Sequence, residues 1–68
     1  MTRDYSITLE DATGKTCTIS ISGACIDDLI KGGYSESEAI ESVEQNAGDN
    51  AIARGDIGAD CWIVSINR

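Results

Sequence analysis

The chain has 68 residues, with twelve acidic against five basic side chains, a formal charge of −7, and no His, Pro or Phe. That length allows a single small domain, 1–68, which buries only about 60% of the surface its unfolded chain exposes. The charge disfavours nucleic acid and anionic membranes as direct partners and favours basic proteins.

Residues 5–9, Y-S-I-T-L, alternate and put Tyr5, Ile7 and Leu9 on one face. Residues 17–22, C-T-I-S-I-S, repeat the pattern with Cys17, Ile19 and Ile21. Period two with β-branched residues predicts strands, and the intervening E-D-A-T-G-K, with Gly14 at a positive-φ position, predicts a hairpin. Ser22 then caps a short helix whose stripe is Ile26, Leu29 and Ile30, ended by Gly32-Gly33.

A second helix begins after Ser35, with Ala39, Ile40, Val43 and Ala47 at helical spacing as its buried side. Gly48 is expected to end it, or to kink it into a short turn over 49–54 closed by Gly55. The final stretch, C-W-I-V-S-I-N at 61–67, reads as a third strand. Alternation places Trp62, Val64 and Ile66 on its apolar face, and Cys61, Ile63 and Ser65 on the other. The expected fold is α+β: a three-stranded antiparallel sheet in the order β-β-α-α-β. Both helices cover one face, and a Ser/Thr-rich face is left wet.

The acidic residues divide by role. With Ser35 as N-cap, Glu38 completes a capping box and Glu36 sits where the helix dipole favours a carboxylate. Tyr34, just before the cap, is placed to staple against Ala39. Glu41 and Glu44 lie beyond the first turn, three residues apart, where like charges oppose the helix by a few tenths of a kcal/mol, about the size of a favourable pair. Asp27 and Asp28 flank the first helix's stripe, and Asp49, Asp56 and Asp60 extend the charge. From Asp27 to Asp60 there are nine acids against two bases, Lys31 and Arg54. Carboxylates on successive helical turns, 5.4 Å apart, are spaced roughly like phosphates along a strand. The alternative is an ordinary solvated helix face.

Nothing in the sequence predicts catalysis. His, the commonest general base near neutrality, is absent. Cys17, Cys25 and Cys61 have no basic neighbour in sequence and none of the close spacings of zinc or redox sites. They are expected to be reduced, apolar residues of a cytoplasmic protein, with a bridge from Cys17 to Cys25 or Cys61 as the alternative. The loop D-I-G-A-D at 56–60 falls short of a calcium-loop pattern. No metal and no cofactor is expected.

Two resemblances follow from these residues. The stretch 29–53, with Gly33-Tyr34, Ala39 and the step Gly48-Asp49-Asn50, resembles a ubiquitin-associated domain, although Gly32 stands where that family has Met. The resemblance implies a small peptide- or ubiquitin-binding module using the Gly32-Gly33-Tyr34 loop. In size, acidity and minimal α+β layout, the whole chain more nearly resembles the small acidic anti-CRISPR proteins encoded by phages. That resemblance implies a DNA-mimic inhibitor. It would be a monomer or small homo-oligomer in the host cytoplasm and would block the DNA-binding surface of a type I effector subunit. The residues proposed to meet such a basic partner are Asp27, Asp28, Glu41, Glu44 and Asp49. They come from the charge pattern and not from the family.

Overall fold

The computed structural model describes residues 2–68. Strands β1 (Tyr5–Asp11) and β2 (Thr16–Ile21) precede helices α1 (Gly23–Lys31) and α2 (Glu36–Ala53), and β3 (Cys61–Asn67) closes the chain. The sheet is antiparallel with β1 in the centre, in the order β2-β1-β3. The α+β fold expected from the sequence is therefore the one observed.

Alternation on β1 is strict: Tyr5, Ile7, Leu9 and Asp11 are buried, and the residues between them are half-buried. Their β2 partners Ile19 and Ile21 are buried too, and Ile26, Ala39, Ala51 and Ile57 complete the core from the helices and the following loop. Among the described residues, only Ile7, Ile21 and Ile26 are large side chains with essentially no exposure. Each such burial stabilises the fold by roughly 1.5–3 kcal/mol. The opposite face carries Ser6 and Thr8, paired with Ser20 and Thr18, and the Thr8 and Thr18 hydroxyls lie 3.1 Å apart.

Both helices start as their sequences dictate. The Ser22 hydroxyl accepts from the Cys25 N–H, and Ser35 and Glu38 form the full capping box. Tyr34 is 51% exposed even though Ala39 is fully buried. Gly33 takes the positive φ that ends the Gly32-Gly33 turn. Within the α1 stripe, Ile26 is buried, but Ile30 is exposed.

Two expectations are corrected. Gly48 neither ends nor kinks α2, which runs on to Ala53 and is closed by Arg54 and Gly55 at φ 79°. The extra turn is held because Ala51 is buried beneath it, and a mid-helix glycine costs only about 1 kcal/mol. In β3, a β-bulge shifts the alternation. Ile66 pairs with Ile7 and Ser65 with Thr8, yet Ile63 pairs with Leu9, so Val64 is the extra residue. The register therefore puts Cys61, Ile63 and Ile66 on the core side, and Trp62 and Ser65 on the Ser/Thr face.

Two carboxylates fasten loops to this frame. The buried Asp11 carboxylate accepts from the Thr13 hydroxyl (2.6 Å) and from the N–H groups of Thr13, Lys15 and Gly58 (2.9, 3.0 and 2.8 Å). It ties the β1–β2 turn to the loop that leads into β3. Asp4 accepts from the Gly23 N–H at 2.8 Å, where a Cβ would lie 2.0 Å from the Thr2 carbonyl oxygen. Only glycine allows the N-terminal segment to cross the start of α1 so closely. All three cysteines are free thiols.

Candidate protein-interaction surface

The five acids singled out from the sequence do not form one patch. Asp27, on α1, accepts from the Thr2 hydroxyl at 2.6 Å and from the Thr2 N–H. The Thr2 hydroxyl, followed by that N–H, lowers its pKa. Its role is to hold the N-terminal segment against the helix. Glu44, on α2, accepts a hydrogen bond from the Tyr5 hydroxyl. Burial first, and the Glu44 carboxylate second, push the Tyr5 phenol up to about 12.

The other three are exposed and have no hydrogen-bond or ion-pair partner among the described residues. Asp28 lines a cleft between α1 and α2 with Cys25, Leu29, Val43 and Asn46. Glu41 and Asp49 lie on the other side of α2, facing β3. Eight residues of helix separate these two, a rise of about 12 Å.

What Glu41 and Asp49 overlook was not legible in the sequence. α2 packs along β2, and on its other side an open groove of ≈ 400 Å³ separates it from β3. Leu9, Gly48, Ile52, Cys61 and Ile63 give that groove an apolar floor, while Glu41, Glu44 and Asp49 form its α2 wall. No Lys or Arg lines it. Beyond it β3 is uncovered: Trp62, Ile63, Val64 and Ile66 are 42–49% exposed. Apolar alternation in a strand is ordinarily read as burial, so the sequence pattern concealed an exposed surface.

Three of the five bases are engaged elsewhere. Arg54 pairs with Asp56 at 3.0 Å, Lys15 donates to the Gly55 carbonyl, and Arg68 lies over the Tyr5 ring, 5.1 Å from its centroid. Among the described residues no three His, Cys, Asp or Glu side chains converge to hold a metal ion. No helix among them is long and apolar enough to cross a membrane.

What the arrangement offers chemically is recognition: an acidic wall beside apolar side chains and an unpaired strand edge. Comparison with family models, curated proteins and solved structures finds no match.

Proposed function

We propose that this chain is a non-enzymatic, acidic interaction protein of the cytoplasm. In this reading it binds a basic, nucleic-acid-handling protein and competes with DNA for that protein's surface. The observation that carries it is the pairing of Glu41 and Asp49, exposed and unpaired, with an uncovered apolar strand across a groove that no base lines. Charge complementarity of this kind steers encounter and selects partners, and burial of the apolar side chains supplies affinity. Asp28 lies outside this surface, in the cleft between α1 and α2, and Asp27 and Glu44 hold the chain's own Thr2 and Tyr5. The resemblance to small acidic anti-CRISPR proteins gives the proposal its most specific form, in which the partner is a DNA-binding subunit of a type I effector.

The experiment is a DNA-binding assay with a purified type I effector, titrated with this protein. Loss of the effector–DNA complex as the protein is added, relieved by excess DNA, is the expected result. Full DNA binding at saturating protein would remove the effector from consideration.

A second reading draws on Tyr34, half exposed beside the positive-φ Gly33. There the Gly32-Gly33-Tyr34 loop would hold a peptide or ubiquitin, and charge would be incidental. Tyr34→Ala abolishing binding, with Glu41→Lys and Asp49→Lys both harmless, would favour it.

A further inference from the structure

We infer that the free edge of β3 is a docking site for an extended, cationic segment of the partner, which adds to the sheet as a fourth strand. The inference rests on the proposal that the partner is basic and specifies how that partner is held. Its first support is the backbone. Among the described residues β3 pairs on one side only, with β1, so its other side presents unpaired N–H and C=O groups. Edges of this kind accept an incoming strand unless they are short, charged or covered. β3 runs for seven residues with no charged side chain in C-W-I-V-S-I-N, and its apolar side chains are uncovered.

Charge decides the occupant. On the core side of the sheet, Ile63 faces the groove walled by Glu41, Glu44 and Asp49. On the opposite side, Trp62 has Glu10 as its cross-strand neighbour. Asp60 lies at the strand's N-terminal end. A strand laid along β3 sends alternate side chains to the two faces, one walled by the α2 carboxylates and the other carrying Glu10 beyond Trp62. Lys or Arg there would be attracted, and a Trp face can hold a cation directly. A helix laid in the groove would reach only the acids on one side.

A second copy of the chain fits poorly for two reasons. Each copy carries −7, and pairing two β3 strands would bring their acidic walls together. The bulge also opposes it. β1, which has no extra residue, matches faces with β3 by skipping Val64. A second β3 carries its own extra residue, so an antiparallel pair centred on Val64 would set core-side Ile63 against outward Ser65. A regular foreign strand meets no such conflict, because it can follow the path β1 takes.

The test is amide hydrogen exchange and amide chemical shifts of the labelled protein, titrated with a short alternating Lys–Val peptide at low salt. The matching Glu–Val peptide is the control. The expected result is exchange slowed roughly tenfold or more across Trp62–Ile66 with the Lys–Val peptide only. Ile63→Lys, at a half-exposed position, should abolish that protection in a protein whose other shifts are unchanged. Protection persisting in Ile63→Lys would overturn the inference. So would protection that rises with protein concentration in the absence of peptide, since a second copy would then cover the edge. Shifts confined to α2, with β3 exchanging as in the free protein, would overturn strand addition while leaving the acidic surface as a binding site. No perturbation by the cationic peptide anywhere would contradict both.

Discussion

Asp11 is a carboxylate at the end of β1, yet it is 4% exposed and both of its oxygens accept hydrogen bonds. The Thr13 hydroxyl first, then the Gly58 N–H, lower its pKa from 3.8 to about 2. A carboxylate depressed on folding stabilises the fold above its unfolded pKa, and that contribution is lost as pH falls through the folded value. The stability difference between the native chain and Asp11→Asn should therefore be full above about pH 4 and shrink towards pH 2. Chemical denaturation across that range measures it. A difference independent of pH would mean that Asp11 acts through shape and not charge. Tyr5 has the opposite sign. Its pKa, raised from 10 to about 12, gives stability that is present below pH 10 and lost as pH rises towards 12. Tyr5→Phe should remove that alkaline dependence, and ultraviolet titration should lose the phenol that ionises near pH 12.

At the level of elements, glycines report how the chain is built. Gly48 lies inside α2, and a Cβ there would meet only the Leu9 Cδ1, at 3.8 Å. Gly48→Ala should stabilise the protein by about 0.5–1 kcal/mol, read from urea denaturation. Gly23→Ala should do the reverse, because its Cβ would collide with the backbone of Thr2 and Arg3. Release of the Thr2 contacts to Asp27, visible in their amide shifts, is the expected signature. Ser35→Ala should cost about 1 kcal/mol through the lost cap.

These elements also mark how far local rules reach. Strand periodicity in 5–9 and 17–22, and the Ser35–Glu38 box, are decided within a few residues, and all were legible in the sequence. The passage of α2 through Gly48 and the bulge at Val64 depend on neighbours distant in sequence. Ala51 must be buried beneath one, and β1 must set the register of the other.

For the whole molecule, the radius of gyration is 12.3 Å, above the roughly 11 Å of a compact chain of this length. The two helices cover the β1–β2 half of the sheet and leave β3 open. The candidate surface was accordingly only half legible. The exposed acids Asp28, Glu41 and Asp49 stood out as charges without partners. The uncovered β3 edge did not, because which strand a helix covers is a matter of tertiary placement. Asp27 and Glu44 acquire long-range partners, Thr2 and Tyr5, that no local spacing reveals.

The most direct measurement is affinity for the purified DNA-handling partner as a function of salt, for the native chain and for the Glu41→Lys/Asp49→Lys double variant. The proposal predicts native affinity that falls steeply with salt, with the double variant weakened roughly tenfold or more at low salt and its salt dependence flattened. Equal affinities and equal salt dependence for the two proteins would contradict it.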